Sequence, residues 1–424
     1  MDFKIFTLQN GLRVVHVPRM GTGTVALSMC GDVGSIHEKE NETGAAHFLE
    51  HVVLEGTQKF PSPEKSTNRI AEVGGRRGAT TDNTTTEYRT SVLKEDSERG
   101  LEFLSQVLIH PLIPQESVER NKKIILQEIR QVLANPRRKS METLVELLYQ
   151  NHRLGVSVAG TPEHIEKMDR GIIVEFWKKH YRPERFVLSV CGDIDETKLL
   201  KLTQKYFGDW KNGAKEPGAV VSPGRQDGTS VATKLGGEPG QTVLAVGHYG
   251  YTADDQKKYA AFLLSKILGE GEMSRLFMSM RIGTAHAYYT SAASRSSKYH
   301  GMFFITTAVA AERTDEVLHS IGRELHRAAS EAPSASEISR VKKRLAAMDL
   351  FNMESTVNTA FYYSKLFTEQ PNSGGYTEEL VKFQTVSAKD IQNVAKEIFS
   401  QKPKVAVVGQ SLTRNDIDIR SLEL

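Results

Sequence analysis

The chain has 424 residues, enough for two to three domains, each with its own core. Its 55 basic and 52 acidic residues are well mixed and leave a formal charge of only +3, which gives no indication of a nucleic-acid partner. Hydrophobic residues make up 39% and charged residues 25%, as in an ordinary soluble protein, and no apolar run approaches the roughly 18 residues of a transmembrane helix.

The amino-terminal segment predicts no targeting signal. Residues 1–7 lack the apolar stretch of a signal peptide and the Arg/Ser-rich character of a transit peptide. We therefore expect a cytoplasmic protein that does not contact a membrane. Cys30 and Cys191 both fall in apolar, strand-like runs, which predicts two inert buried thiols.

Strand-like runs near 3–8, 12–18 and 24–31 precede a predicted helix near 43–55, which contains His47-Phe48-Leu49-Glu50-His51. In a helix, positions i, i+3 and i+4 share one face, so His47, Glu50 and His51 lie together. Two imidazoles one turn apart can hold a metal ion, and the carboxylate beside them is free to handle protons.

The ends and the opposite face of this helix are also predicted. Thr43 is the expected N-cap and Gly56 the expected stop. The opposite face is apolar, with Phe48, Leu49, Val52 and Val53. A buried helix with two imidazoles and a carboxylate needs partners for them, because burying polar groups unpaired is costly. A zinc ion would supply that partner; the alternative is a pair of core histidines satisfied by ordinary hydrogen bonds.

After a predicted helix near 63–73, two Thr-rich segments at 76–81 and 84–92 predict a hairpin. An edge strand there could pair with an extended peptide substrate by adding it to the sheet. The hairpin is followed by a predicted helix near 94–109.

The next helix, near 115–135, offers a third metal ligand. Zinc catalytic sites often use two histidines and one carboxylate. Glu128 falls beside Ile125 and Val132 on the apolar stripe of this helix, whereas Glu116 and Glu119 lie off the centre of the stripe. A carboxylate in a core stripe is unusual without a partner, so Glu128 is the best candidate ligand.

Further helix and strand patterns, near 139–151 and 185–191, complete a set of elements that recurs later in the chain. Thr24-Val25-Ala26-Leu27 resembles Thr242-Val243-Leu244-Ala245, and Arg120-Asn121-Lys122-Lys123 resembles Arg340-Val341-Lys342-Lys343. These offsets, near 220 residues, indicate two tandem copies of one α+β domain, a mainly antiparallel sheet covered by helices. We predict domains at 1–212 and 229–424, joined by a Gly/Pro-rich linker at 213–228.

The zinc-site pattern, an H-x-x-E-H helix followed by a distant Glu, resembles the inverted zinc-peptidase signature of the pitrilysin, insulinase and mitochondrial processing peptidase family. Further stretches are similar to family landmarks: Asn10-Gly11-Leu12-Arg13-Val14, Gly160-Thr161-Pro162-Glu163, and His180-Tyr181-Arg182-Pro183 through Cys191-Gly192-Asp193. The resemblance covers essentially the whole chain. It implies that His47, His51 and Glu128 bind one Zn²⁺ and that Glu50 is the general base. It also implies that chains of this length pair as a clamshell.

The second copy keeps no metal motif. Glu128 corresponds to Met348, and no H-x-x-E-H occurs after residue 220. Instead, Arg281 and Tyr288 resemble the Arg/Tyr pair that meets the substrate in the family, and the resemblance implies that they complete the partner chain's site. The alternatives are a solvated helix end for Arg281 and a packed strand residue for Tyr288. His286, between them, is the one other histidine of interest.

Two positions depart from the family pattern. The substrate strand usually reads Asn-Ala-x-Thr, whereas this chain has Gly78-Ala79-Thr80-Thr81, so Gly78, Ala79 and Thr80 are the expected substrate contacts. Asn121 stands where relatives usually carry a Glu that supports the metal ligands. Such supporting groups can change metal affinity or activity by about ten- to a hundredfold.

The sequence thus predicts a zinc metalloendopeptidase that hydrolyses unfolded or short peptides inside a chamber formed by a homodimer, or by a heterodimer with a homologous subunit. The alternative is a non-catalytic partner or scaffold subunit of a two-chain peptidase, although such chains usually break the H-x-x-E-H motif, which is intact here.

Overall fold

The structure is a computed structural model that describes residues 2–211, 222–225, 227–283, 287–410 and 417–423. It divides into two compact units. The first comprises Met1–Ile129, Ser157–Val220 and Met348–Thr377, and the second comprises Arg130–Val156, Val221–Ala347 and Glu378–Leu424.

The first unit is built on a six-stranded sheet. Its strands are β1 (Lys4–Thr7), β2 (Arg13–Pro18), β3 (Thr24–Gly31), β4 (Arg76–Thr81), β5 (Thr86–Leu93) and β6 (Phe186–Gly192). Their order across the sheet is β1-β2-β6-β3-β5-β4, so β4 is an edge strand. β2 pairs with β6 in parallel, and the other pairs are antiparallel.

The second unit is built on a five-stranded sheet. Its strands are β7 (Ser230–Leu235), β8 (Gln241–Tyr249), β9 (Ala287–Ser296), β10 (Gly301–Ala310) and β11 (Lys404–Gly409), in the order β7-β11-β8-β10-β9. The pair β7–β11 is parallel and the rest are antiparallel. Apart from the extra β1, each sheet therefore places its strands in the same order and directions. This shared topology supports the duplication that the sequence offsets predict.

Helices cover both sheets. In the amino-terminal half they are α1 (Ala45–Val53), α2 (Pro63–Ala71), α3 (Ser97–Ile109), α4 (Gln115–Ala134), α5 (Pro136–Leu148), α6 (Pro162–Lys167), α7 (Arg170–His180) and α8 (Glu196–Phe207). In the carboxy-terminal half they are α9 (Lys257–Gly269), α10 (Arg275–Phe277), α11 (Thr314–Ser330), α12 (Ala335–Glu354), α13 (Thr356–Glu369), α14 (Tyr376–Thr385) and α15 (Ala388–Phe399). α4 and α12 have equal lengths and start 220 positions apart. The predicted α+β class is confirmed.

Each half of the chain supplies one helix to the sheet of the other half. α13 packs on β3 and β6 of the first sheet, and α5 packs on β8 and β11 of the second. Small side chains on the covered face allow the close approach: Ser28 Oγ lies 2.6 Å from Ser364 Oγ. At the second sheet, a Cβ on Gly247 would lie only 2.9 Å from the side chain of Leu144.

This exchange makes the compact units differ from the predicted sequence domains. The division into 1–212, 213–228 and 229–424 marks the two sequence repeats and the linker between them. It stays a prediction. The contacts add what a linear division cannot show, namely that residues 130–156 and 348–377 each belong to the unit built on the other half's sheet. Residues 213–221 and 226 of the predicted linker, and residue 212 before it, lie outside the described residues.

The main core of the first unit lies between its sheet and the helices on the face away from α13. Side chains of α1, α3 and α7 meet inward-facing strand residues there, among them Leu27, Met29 and Tyr88. Cys30 and Cys191 are buried free thiols, as predicted. None of the described helices is both long enough and apolar enough to cross a bilayer.

Candidate metal centre

Helix α1 begins in a way the sequence did not predict. Gly44, at φ +89°, is the N-cap, and the buried Glu38 carboxylate accepts hydrogen bonds from Gly44 N (3.0 Å) and Ala46 N (2.9 Å). The prediction of Thr43 as N-cap was wrong: its hydroxyl donates to the Glu40 carbonyl at 2.7 Å instead. A positive φ suits Gly rather than Thr, and a carboxylate outside the helix satisfies the free N–H groups.

The helix ends at Val53, with Leu54 as its C-cap, so the predicted stop at Gly56 was also wrong. The predicted apolar face is confirmed, since Phe48, Leu49, Val52 and Val53 are fully buried. Burying this face fixes the rotation of α1 about its axis and turns His47 and His51 to the other side.

Glu128 of α4 meets the two histidines there. The Nε2 atoms of His47 and His51 are 3.3 Å apart, and Glu128 Oε2 lies 3.9 Å from the first and 3.6 Å from the second. Among the described residues this is the group of three His, Cys, Asp or Glu side chains whose donor atoms converge as metal ligands do. The three ligands predicted from sequence are therefore brought together.

The three donor atoms fit a zinc ion. Ligand atoms about 2.0–2.2 Å from a tetrahedral Zn²⁺ lie about 3.4 Å from each other, close to the separations of 3.3 to 3.9 Å found here. Two imidazoles and one carboxylate are also the donor set of many catalytic zinc sites, which keep a fourth position open.

The electrostatics of His47 suit the same purpose. Burial, assisted by the neighbouring His51, lowers the pKa of His47 to about 4. The imidazole is therefore neutral at physiological pH, which is the form that ligates metals. Its Nδ1 is buried and has no hydrogen-bond partner among the described residues.

Glu50 lies beside the three ligands but is held by a different contact. Its Oε2 accepts a hydrogen bond of 2.6 Å from the Thr81 hydroxyl, at the end of β4. Burial raises the pKa of the Glu50 carboxyl, and the Glu128 carboxylate adds to this rise. The Thr81 hydrogen bond and the nearby His51 and Arg89 act in the opposite direction. No role was predicted for Thr81 from the sequence; the signals were its place at the end of the predicted substrate strand and its match to the Thr of the family pattern Asn-Ala-x-Thr.

The predicted substrate residues Gly78, Ala79 and Thr80 lie on the edge strand β4. Thr80 is exposed, and its hydroxyl donates to the Ala79 carbonyl at 2.8 Å. A Cβ on Gly78 would lie 3.2 Å from Arg89 Nε, so glycine here leaves room for the arginine side chain. The predicted hairpin is confirmed, with β4 and β5 paired from Arg76–Ser91 to Thr81–Thr86.

Asn121 is buried on α4, two turns before Glu128. Its Nδ2 donates to the Ser117 carbonyl of the same helix at 2.8 Å. The Asn121 amide therefore uses one of its donors in a hydrogen bond to the backbone of α4.

In the second unit, Arg281 lies in a π-helical segment, Met278–Gly283, and Tyr288 lies on β9. The Arg281 guanidinium donates to the backbone carbonyls of Ala287 and Tyr288, so the structure places Arg281 against the backbone of Tyr288. The Tyr288 side chain is 60% exposed, which does not fit a residue packed on the core. His286 lies outside the described residues.

Met348 occupies the same position in α12 that Glu128 occupies in α4, and 43% of it is exposed. A thioether on that surface is a poor substitute for a carboxylate ligand of zinc.

Two family profiles match the chain in succession. The profile described as insulinase (peptidase family M16) matches residues 13–162, and the one described as the peptidase M16 inactive domain matches residues 167–345. The chain belongs to peptidase family M16. The first profile spans His47, Glu50, His51 and Glu128, and the second spans Arg281 and Tyr288.

Proteins with protease and peptidase names resemble the chain along nearly its whole length. A Rickettsia bellii protein named as an uncharacterized zinc protease is 28% identical over 416 residues, covering 96% of this chain and 98% of that protein. The mitochondrial-processing peptidase subunit beta of Rattus norvegicus is 24% identical over 418 residues, covering 96% and 84%.

Solved structures share the M16 fold. A protease from Helicobacter pylori superimposes with a TM-score of 0.88 at 21% identity, covering 96% of this chain and 99% of that one. A Pseudomonas fluorescens structure described as a peptidase M16 inactive domain gives a TM-score of 0.89 at 17% identity, covering 97% and 99%.

Proposed function

We propose that this chain is a zinc metalloendopeptidase of the cytoplasm that hydrolyses unfolded or short peptides. His47, His51 and Glu128 would hold one Zn²⁺ per chain, and Glu50 would act as the general base. The observation that carries the proposal is the convergence of three ligand atoms, within 3.3 to 3.9 Å of each other, beside a carboxylate that is not needed as a ligand.

Zinc bound by these ligands would lower the pKa of a water molecule and polarise the scissile carbonyl. Glu50 would take the proton from that water and pass it to the leaving amine, so the same carboxylate serves first as base and then as acid. As zinc ligands, two imidazoles would bind in their neutral form and a carboxylate would bring one negative charge.

The substrate would be held as an added strand on β4. The backbone groups of Gly78, Ala79 and Thr80 lie on the edge of the sheet, where an extended peptide can form main-chain hydrogen bonds. This mode requires a chain segment free of other structure, which favours unfolded or short peptides over folded domains.

Arg281 and Tyr288 are proposed to stabilise the oxyanion that develops at the scissile carbonyl. A guanidinium and a phenol are both suitable donors for such a charge. Two chains would pair around a closed chamber, as a homodimer or with a homologous subunit, and the Arg/Tyr pair of one chain would serve the zinc site of the other. The name of the rat relative, a subunit of a processing peptidase, supports pairing.

The second candidate is a non-catalytic partner or scaffold subunit. The match of residues 167–345 to a domain described as inactive favours it. That match begins after Glu128, however, and the complete set of ligands and base lies within residues 13–162, which match the insulinase profile. We therefore rank the peptidase first.

Metal analysis combined with a peptide-cleavage assay separates the two candidates. A catalytic chain should contain about one zinc and cleave an unfolded peptide, and Glu50→Gln should abolish cleavage while retaining the metal. Wild-type protein that carries zinc but cleaves nothing, alone or mixed with a homologous subunit, would favour the scaffold.

A further inference from the structure

The contact between Thr81 and Glu50 joins the strand that would carry the substrate to the carboxylate that would act as base. The Thr81 hydroxyl donates to Glu50 Oε2 at 2.6 Å. Glu50 has two carboxylate oxygens, and this bond occupies one of them. The other oxygen remains for a water proton.

The rest of β4 shows why Thr81 is suited to this. Side chains alternate along a strand, so Arg77, Ala79 and Thr81 face α1, while Gly78 and Thr80 face away. Arg77 contacts the end of α1 through the Leu54 carbonyl, and Thr81 contacts Glu50 within that helix. One face of β4 thus contacts α1 and its C-cap at two points, and β4 is the edge strand of its sheet, where a peptide could add.

The turn that follows Thr81 is held firmly, so the hydroxyl has a fixed origin. Asp82 Oδ1 accepts hydrogen bonds from Thr84 N (2.8 Å) and Thr85 N (2.7 Å), and Asp82 Oδ2 pairs with Lys365 Nζ of α13 at 2.7 Å. The Asn83 carbonyl accepts a further bond from Ile36 N at 2.9 Å. Contacts from three directions therefore restrain the residues next to Thr81.

From this geometry we infer that Thr81 is a positioning residue for Glu50: its hydroxyl holds one carboxylate oxygen so that the other faces the water to be activated. The inference rests on the proposed function, because it assumes that Glu50 is the general base. In this role Thr81 would act through Glu50, to which its hydroxyl donates. A base held in one orientation avoids the loss of rate that follows from misplacement.

Two substitutions test the hydroxyl itself. Thr81→Val keeps the shape of the side chain and removes the donor, whereas Thr81→Ser keeps the donor. Thr90→Val is the matched control, because Thr90 lies on the neighbouring strand β5 and its buried hydroxyl has no partner among the described residues. Crystal structures, zinc content, kcat and KM are measured for the three variants and the wild type.

For Thr81→Val we expect the Glu50 carboxylate to leave its position beside β4 in the crystal and kcat to fall by about tenfold. KM and zinc content should change by less than about twofold, because neither the ligands nor the strand edge is altered. Thr81→Ser and Thr90→Val should resemble the wild type in all four measurements. If Thr81 only packed against its neighbours, serine, which lacks the methyl group, would not restore kcat.

The inference is overturned if Glu50 keeps its position in Thr81→Val, or if that variant cleaves peptides at the wild-type kcat. A different result marks failure of the proposed function: wild-type protein with one zinc per chain that cleaves no peptide. In that case Thr81 has no reaction to serve, and the inference falls with the proposal, whereas an active wild type with an equally active Thr81→Val removes the inference alone.

Discussion

At the scale of single residues, one face of α1 would serve two functions, metal binding and proton transfer. His47 and His51 present their Nε2 atoms to a common point with Glu128, while Glu50 is turned to Thr81. The four side chains are close together, yet substitutions should separate those that hold the metal from the one that moves protons.

The first prediction is that His47→Ala/His51→Ala loses the zinc, whereas Glu50→Gln keeps about one zinc per chain. The double variant would lose the metal because only Glu128 would remain to bind the ion. Glu50→Gln would keep it because Glu50 is not one of the three ligands. Metal analysis of the purified variants measures this, with His319→Ala, an exposed histidine on α11, as the control. Loss of zinc in Glu50→Gln together with its retention in Glu128→Gln would reverse the assignment.

At the scale of elements, the start of α1 depends on Glu38, a residue outside the helix. Its buried carboxylate accepts hydrogen bonds from two of the N–H groups that have no partner within the helix at its amino end. A negative charge there is also favourable to the helix dipole.

Glu38→Ala should therefore lower the free energy of unfolding by about 1–2 kcal/mol, as the loss of a helix cap does. Glu40→Ala is the control, because Glu40 is exposed and only its backbone carbonyl bonds to Thr43. Denaturant unfolding of both variants measures the difference. Equal stability of Glu38→Ala and wild type would show that water can replace the carboxylate at this helix end.

A second prediction at this scale concerns the ion pair by which α13 holds the β4–β5 turn. Burial alone would raise the pKa of Asp82, but the charge and hydrogen bond of Lys365 and two backbone N–H groups outweigh it, so the pKa is lowered. The stabilisation is then complete above the ordinary aspartate pKa of about 3.9, and it is lost as the pH falls through the lower folded value.

Lys365→Met should therefore be less stable than wild type at pH 7, and the gap should close as the pH falls below about 4. We expect only about 1 kcal/mol, because 34% of the Lys365 side chain and 40% of the Asp82 side chain remain exposed to screening solvent. Unfolding curves from pH 7 to pH 2 measure the gap. Lys65→Met, a substitution at an exposed position on α2, should show little gap at any pH.

The elements also show how far sequence alone could reach. Local patterns sufficed for α1, α4 and the hairpin, because apolar periodicity follows from the helix and strand geometry of each segment. Glu128 could be selected because a carboxylate on an apolar stripe requires a partner. Glu38 and Thr81 could not, since each acts on a residue of another element, and a contact of that kind has no periodic signal. The cap at Gly44 was missed because it depends on a positive φ and on the Glu38 carboxylate, neither of which has a periodic signal.

At the scale of the whole molecule, the proposed chemistry is divided between the two halves of the sequence. The candidate zinc ligands and base belong to the first half, and Arg281 and Tyr288 belong to the second. In the proposed dimer, each chain would complete the site of its partner.

Mixing two inactive variants tests this division. Glu50→Gln lacks the base, and Arg281→Ala lacks a donor to the oxyanion, a loss of about 2.7–4 kcal/mol by analogy with other oxyanion donors. After subunit exchange, one site of a mixed dimer takes its base from the Arg281→Ala chain and its arginine from the Glu50→Gln chain. Activity of mixed dimers should recover toward half that of wild type, with zinc content unchanged throughout.

Each variant incubated alone under the same exchange conditions is the control. Mixed dimers verified by mass that regain no activity would show that Arg281 serves its own chain, or serves no site.

The exchanged helices α5 and α13 give the two halves a mutual dependence of another kind. A fragment that ends before β7 would keep α5 but lack α13, so the small side chains of β3 and β6 would face water. The complementary fragment would keep α13 but lack α5, which covers β8 and β11. Each fragment lacks the helix that covers its own sheet and contains the helix that covers the sheet of the other fragment. A protease that nicked the chain between the halves would therefore leave two pieces still fastened to each other, and a gene split at that point would have to express both products together to obtain either one folded.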